Sequence, residues 1–314
     1  ILLYLTYMIR LSDEMPHYIT LLGILQCSNP FLTDILHANE PRAHTHTIAH
    51  GKVAFQDVGF TYPGASAPTL HKFNLTVQPH EKVGILGTSG SGKTTAMKLL
   101  SGMYQADVGL VQIDDLNILD YDIQHLRDRV NYVNQRTQLF NTTILKNIQY
   151  GNTASAESIG DLLKRYELTS VYSKLKNGVA TSAGVHGGSL SLGMQKVTML
   201  LRGLLRNGQV VILDEPLAGL DADTRKKVLR LIDDKCKGRT LIVITHDKEI
   251  IPMMDRTVNL GELNPTESYR SGDTIGAEEG AESAAEWTAA PPVAVYAEDD
   301  PNTSFVEHMY VPSA

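Results

Sequence analysis

The stretch VGILGTSGSGKTTAMKLL, residues 83–100, decides the fold. An apolar run stands directly before the pattern G-x-x-x-x-G-K-T, and apolar residues recur at helical spacing after it. A strand, a glycine-rich turn and a helix in this order form the context of a phosphate-binding loop. A glycine-rich turn without a ligand is the alternative. It is the weaker one, because chance produces the bare pattern in roughly one in a hundred chains of this length.

The residues of this loop have separate predicted roles. The glycines let the backbone pass close to phosphate oxygens, while successive N–H groups and the helix start supply positive potential. We expect Lys93 to reach the β and γ phosphates of a nucleotide and Thr94 to offer a hydroxyl to Mg²⁺. The predicted nucleotide-binding residues here are Gly87, Thr88, Ser89, Gly90, Ser91, Gly92, Lys93, Thr94 and Thr95.

A second segment, QVVILDEP at residues 209–216, supplies two carboxylates. Residues 210–213 have the composition of a fully buried strand, and Asp214 stands at its carboxyl end, where open α/β sheets bind ligands. We expect Asp214 to hold Mg²⁺ through its water shell. Glu215 could accept a proton from the water that attacks the γ phosphate. The alternative for Glu215 is a solvated carboxylate at a strand end.

Composition and charge limit the other classes of function. The formal net charge is −7, but ten acidic residues and one arginine follow residue 262, so the preceding chain carries about +2 and gives no sign of nucleic-acid binding. Cys27 and Cys236 lie far apart and outside metal-ligand spacing, which argues against a disulfide framework and a zinc site. The opening apolar run of nine residues is shorter than the roughly 20 that a membrane-spanning helix needs.

The chain divides into four predicted parts. Residues 1–40 have helical periodicity, and residues 41–50 have the character of a linker, whose histidines (His44, His46, His50) are better explained by solvation than by metal binding. Residues 51–262 alternate short β-rich runs with helical segments, which indicates an α/β domain with a mainly parallel sheet. Residues 263–314 are acidic and poor in aliphatic side chains, and we predict a disordered tail.

Further motifs give the chain a specific resemblance. LSLGMQKVTMLLRGLL, residues 190–205, resembles the LSGGQ signature and following helix of ABC proteins. Ser191 and Gly193 match the signature, whereas Leu192 replaces its first glycine and Met194 its glutamine. The resemblance implies that Ser191, Gly193 and the start of the following helix contact the γ phosphate of a nucleotide that another chain holds.

The other family motifs follow in the same order along the chain. Tyr62 resembles the aromatic residue that stacks on adenine, although core packing is an alternative for it. Gln135 resembles the residue that senses Mg²⁺ and the attacking water, and Asp221 resembles the aspartate near the dimer interface. His246 resembles the histidine that contacts the γ phosphate and orients the water. The implied catalytic residues are thus Glu215, His246 and Gln135, and the implied metal-binding residues are Thr94, Gln135 and Asp214.

This resemblance implies a fold, cofactors and partners. The fold is the P-loop NTPase fold of an ABC nucleotide-binding domain, with a RecA-like core, an antiparallel β subdomain and a helical signature subdomain, preceded by an α-helical extension. The cofactors are ATP and Mg²⁺. Residues 112–152 resemble exporters of the B subfamily, which implies a second cassette as partner and a transmembrane domain encoded upstream in the same chain. The cassette is then expected at the membrane, on its cytoplasmic or matrix side.

Alternatives to an exporter half-transporter remain open. The chain could be a soluble ABC-type ATPase or a regulatory module without its own membrane domain. It could also belong to a heterodimer in which Leu192 marks a less active composite site. Residues 184–187, GVHG, lack the Glu and Arg that exporters carry just before the signature. The transported substrate cannot be predicted, because the segments that contact it are missing from the sequence.

Overall fold

The computed structural model describes residues 46–134 and 137–264 of the chain. These residues form two β-sheets, which are surrounded by helices. The predicted helical extension and almost all of the predicted tail lie outside the described residues, as do residues 41–45 of the predicted linker.

The first sheet is antiparallel and has the strand order β2-β1-β4-β5. In its register Val53 lies opposite both Val77 and Ile113. One face of the sheet is buried, and there the rings of Phe55 and Phe73 meet edge to face at 5.1 Å between centroids. The strands are β1 (Val53–Phe60), β2 (Leu70–Val77), β4 (Val108–Ile113) and β5 (Leu116–Asn117).

The second sheet is parallel and has the order β6-β7-β8-β3-β9. Every residue of β7 and β8 is buried, as expected for central strands that are covered on both faces. Because β7, β8 and β3 are neighbours and run the same way, the loops that follow them meet at one edge of the sheet. The strands are β3 (Lys82–Leu86), β6 (Val130–Val133), β7 (Val210–Asp214), β8 (Thr240–Ile244) and β9 (Arg256–Asn259).

Helices cover the parallel sheet and build the rest of the core. Ser191 and Asp221 begin two of them as N-caps, and each accepts a hydrogen bond from a backbone N–H of the first turn. The helices are α1 (Lys93–Leu100), α2 (Ile123–Arg129), α3 (Ile144–Gln149), α4 (Ala156–Arg165), α5 (Leu192–Leu204), α6 (Ala222–Lys235) and α7 (Leu260–Leu263). Short 3-10 turns occupy Ile118–Asp120, Leu168–Tyr172, Gly178–Ala180, Val185–Gly187 and Ile251–Met253.

The predicted fold class is confirmed: the domain is mixed α/β, with one antiparallel and one parallel sheet. One detail differs at the predicted linker. Ile48 is only 3% exposed, and its N–H donates to His125 Nε2 at 3.0 Å, while the N–H groups of Ala49 and His50 donate to Asp114. The last residues of that linker therefore pack on the domain. Among the described helices, none has the length and apolar character needed to cross a membrane.

Candidate nucleotide-binding and catalytic site

The loop between β3 and α1 has the backbone of a phosphate-binding loop. Gly92 lies at the N-cap of α1 with φ of 92°, a left-handed conformation that glycine adopts without steric cost. A Cβ at this position would stand 2.6 Å from Leu70 Cδ2, so only glycine fits. The Lys93 ammonium folds over the loop and donates to the carbonyl oxygens of Gly87 and Thr88 at 2.6 and 2.7 Å. The lysine and the helix start thus face the same concave backbone.

Asp214 stands beside this loop at the end of β7. It is 6% exposed, and it accepts hydrogen bonds from the hydroxyls of Tyr132, at 3.4 Å, and Thr94. Burial raises the pKa of Asp214, and the ammonium of Lys196, these two hydrogen bonds and the charge of Lys93 act against that rise. Two of the three groups predicted to hold Mg²⁺, the Thr94 hydroxyl and the Asp214 carboxylate, are therefore neighbours.

This donor set fits Mg²⁺ bound together with a nucleotide. Mg²⁺ prefers oxygen ligands and is usually held by one or two protein oxygens together with substrate phosphates and water. Within residues 46–134 and 137–264, no group of three or more His, Cys, Asp or Glu side chains could hold a metal without such help. Asp214 and Thr94 provide the protein's share of that arrangement.

Glu215 follows at the strand end in an unusual backbone conformation. Its φ is 48°, rare for a residue with a side chain, and its N–H donates to the carbonyl oxygen of Ile244 at 2.8 Å. The hydroxyl of Thr245 donates to Glu215 Oε2 at 3.5 Å, and His246 Nε2 stands 3.9 Å from Oε1. Burial raises the pKa of Glu215, and the neighbouring His246 acts against that rise. A half-buried carboxylate and an exposed imidazole therefore face each other.

Lys196 is a site residue that the sequence motifs did not indicate. It lies on the second turn of α5, is 6% exposed, and donates from Nζ to the backbone oxygen of Asp214 at 3.3 Å. Burial lowers the pKa of Lys196, whereas the charges of Asp214 and Glu215 raise it. The only sequence signal for it is a single cation inside the otherwise uncharged run MQKVTMLL. It gives the two carboxylates a second countercharge besides Lys93.

Tyr62 lies beside α1, the helix that follows the phosphate-binding loop. Its hydroxyl is 3.1 Å from the hydroxyl of Thr95 on α1, and its ring packs edge to face against Phe60 and Tyr104 at 4.9 and 5.3 Å. The ammonium of Lys98 lies 5.7 Å from the ring centroid. Tyr62 thus packs against other aromatic rings, as the alternative prediction of core packing has it. It also lies next to the helix that follows the phosphate-binding loop.

The signature residues lie at the start of α5. Ser191 Oγ accepts from the N–H of Met194 at 3.4 Å, and Leu192 beside it is 75% exposed. Gly193 faces the loop before α6, since a Cβ there would stand 3.8 Å from Leu220 Cδ2 and 3.9 Å from the carbonyl oxygen of Gly219. The serine and the helix start are therefore presented at an exposed surface.

Asp221 acts as the N-cap of α6 in this structure. Its Oδ1 accepts from the N–H groups of Asp223 and Thr224 at 3.1 and 3.0 Å, and its Oδ2 accepts from the Thr224 hydroxyl at 2.7 Å. These hydrogen bonds hold the pKa of Asp221 below its usual range. Both oxygens thus have a structural task in the loop that Gly193 faces. Gln135, the remaining predicted site residue, lies outside the described residues.

The family comparison agrees with this geometry. Residues 70–218 match the family described as "ABC transporter". Residues 70–218 therefore have the sequence of an ABC-type ATP-binding domain. The match spans the phosphate loop, the signature helix α5 and the carboxylates at the end of β7. The predicted ATPase class agrees with this family match, and the flippases among the relatives named below are described as ATP-dependent.

Individual relatives point to the exporter type of ABC protein, as predicted. An "ATP-dependent lipid A-core flippase" of Vibrio vulnificus is 34% identical over 75% of this chain and 42% of its own length. The flippase of the same description from Escherichia coli is 34% identical over 67% of this chain and 36% of its own. "ABC transporter B family member 3" of Dictyostelium discoideum is 36% identical over 65% of this chain and 14% of its own.

A solved structure extends the similarity to three dimensions. "Structure of a bacterial Atm1-family ABC exporter with ATP bound" superimposes with a TM-score of 0.64 at 25% identity, over 76% of this chain and 44% of that one. The chain therefore spans less than half the length of these ABC exporters.

Proposed function

We propose that this domain binds Mg-ATP, hydrolyses it between two cassettes, and drives an export step across a membrane. The observation that carries the proposal is the convergence of Lys93, Thr94, Asp214 and Glu215, with His246, at one edge of the parallel sheet. Similarity to ABC exporters supports the transport part, with a transmembrane domain encoded upstream and the cassette on the cytoplasmic or matrix side.

The residues of the site have separate roles in the proposed reaction. Lys93 and the start of α1 bind the β and γ phosphates, and Tyr62 stacks on adenine. Thr94, Asp214 and Gln135 would hold Mg²⁺, and the ion would supply positive charge that neutralises the phosphates. Glu215 Oε1 or Oε2 accepts the proton of the attacking water, while the Thr245 hydroxyl limits the movement of this carboxylate. His246, on the open side of Glu215, orients the water.

The second cassette would complete each site. Ser191 caps α5 at an exposed surface, and a serine hydroxyl at a helix N-terminus is suited to an anion. Leu192 presents a large, exposed apolar side chain beside it, which we expect to be buried against the second cassette. We expect ATP to close two such chains around two nucleotides and hydrolysis to release them.

The variant Glu215→Gln tests the proposal. It keeps the size and most hydrogen bonds of the side chain but removes the base, so phosphate release by the full chain should fall by about 10² to 10⁴-fold. ATP affinity should persist, and light scattering with Mg-ATP should detect a trapped dimer. Glu157→Gln, on the exposed first turn of α4, is the matched control and should hydrolyse ATP normally. Undiminished hydrolysis by Glu215→Gln would refute the assignment of the base.

A further inference from the structure

Arg225, on the first turn of α6, joins two loops of the site. Its Nε donates to the carbonyl oxygen of Leu220 at 3.0 Å, in the loop that precedes Asp221. Its Nη1 donates to Asp247 Oδ2 at 2.8 Å and lies 3.6 Å from Glu249 Oε1. The planar guanidinium presents its N–H groups in a fixed fork, whereas a lysine ammonium is a compact charge at the end of a flexible stem. One side chain therefore ties the loop before α6 to the loop after β8.

Asp247 carries the contact onward to the residues around His246. Its Oδ1 accepts the N–H of Glu249 at 2.9 Å, which leaves Oδ2 for Arg225. The N–H of Asp247 donates to the Thr245 hydroxyl at 2.9 Å, and that hydroxyl donates to Glu215. Thr245 is fully buried. A continuous series of hydrogen bonds thus runs from the loop before α6 to the Glu215 carboxylate, and His246 lies between two of its members.

The low exposure of the Arg225–Asp247 ion pair makes it stronger than an ordinary surface ion pair. The side chains of Arg225 and Asp247 are 28% and 17% exposed. Arg230, one turn further along α6, pairs with Glu167 where the side chains are 57% and 62% exposed. Exposed ion pairs contribute little to stability because water screens their charges. An ion pair of low exposure whose side chains also bond backbone groups holds the attached loops in place.

We propose that Arg225 is a positioning residue for ATP hydrolysis: through Asp247 it holds the loop that carries His246 in register with Glu215. This inference rests on the proposed roles of Glu215 and His246. The separation of 3.9 Å between His246 Nε2 and Glu215 Oε1 depends on where the 245–247 loop stands. Loss of the Arg225 contact frees that loop without changing any atom at the phosphate loop.

A double-mutant cycle on the full chain tests the proposal. Arg225→Met keeps the apolar stem and removes the guanidinium, and Asp247→Asn keeps Oδ1 for the Glu249 N–H and removes the charge. Each should lower kcat about tenfold, equivalent to about 1.4 kcal/mol of activation free energy, with KM for ATP changed by less than about twofold. The double variant should be no slower than either single one, because the interaction is already lost.

Two further variants distinguish positioning from general stability. Arg225→Lys restores the charge next to Asp247 without the second arm, so it should recover part of the lost kcat. Arg230→Met removes an equal charge from the same helix and should keep kcat within about twofold of wild type. Unchanged kcat in Arg225→Met, or additive losses in the double variant, would overturn the proposal.

Glu215→Gln, assayed in parallel, separates the two claims. If it still hydrolyses ATP, the proposed catalytic function fails. If it is inactive while Arg225→Met matches the wild type, only the positioning role fails.

Discussion

The side chain of Arg202, on α5, connects this helix to α3 and to the segment before α3. We expect its removal to lower the free energy of unfolding strongly. It is 9% exposed, and its guanidinium donates to the carbonyl oxygens of Asn147 and Gln138 at 3.0 and 3.2 Å and to Asn147 Oδ1. It also lies 4.8 Å from the centroid of the Phe140 ring. Arg202 therefore joins the signature helix to the segment that follows Gln135.

The size of the effect follows from these contacts. Hydrogen bonds from a charged donor contribute about 1.5–3 kcal/mol each, and Arg202→Ala loses all of those that the guanidinium makes to Asn147 and Gln138. Partial compensation by entering water reduces the sum, so we expect Arg202→Ala to lower the free energy of unfolding by about 3–5 kcal/mol. For a domain of roughly 200 residues this corresponds to a fall of about 6–20 °C in Tm.

Urea unfolding and calorimetry on the full chain would measure this change. Arg202→Lys keeps the charge but cannot reach all three acceptors, so it should recover only part of the loss. Arg230→Ala, whose ion pair with Glu167 is exposed, should stay within about 1 kcal/mol of wild type. A stability of Arg202→Ala within that same margin would show that the guanidinium contacts do not hold the segment.

Two other predictions concern the site loops. Gly92→Ala should weaken ATP binding by about tenfold or more in calorimetric titration. Alanine is strained at a φ of 92°, and its methyl group would collide with a neighbouring leucine. Gly64→Ala, at φ of 80° with open space around it, is the matched control and should bind ATP normally. Asp221→Ala should cost about 1 kcal/mol at neutral pH through the lost helix cap. Because the folded state holds the pKa of Asp221 below its usual range, this contribution is present above that range and disappears as pH falls through the folded pKa. Urea unfolding should therefore show the difference in stability between the variant and the wild type shrinking as pH falls below the usual pKa range of aspartate, and a constant difference would exclude the capping role.

The central strands and their loops could be predicted from the sequence because the signals there are local. A short run of β-branched and aliphatic residues that ends in Asp214 is typical of a buried strand with a carboxylate at its carboxyl end. The run before His246 has the same composition and is also a buried strand. The meeting of these ends then follows from parallel neighbours in one sheet. Motif order thus located Lys93, Asp214 and Glu215 without any knowledge of packing.

The residues that support this site could not be predicted in the same way. In the sequence, Arg225 has the pattern of an exposed charge on an amphipathic helix. It has Asp247 as a partner only because α6 packs next to the loop that follows β8. Ile48 looked like part of a linker because its neighbours are polar, yet its side chain is buried on the domain. Such contacts join residues far apart in the chain, and no local period encodes them.

The charges of the site show why Lys196 matters despite its weak signal. Burial raises the pKa of Asp214 and Glu215 and lowers the pKa of Lys93 and Lys196, so each group alone would tend to lose its charge. Together the two carboxylates and two ammonium groups favour one another's charged forms. Lys196 reaches them from the same helix whose first turn Ser191 caps, five residues earlier. Because a helix moves as a rigid element, a displacement of its exposed start would also move the ammonium that contacts the backbone of Asp214.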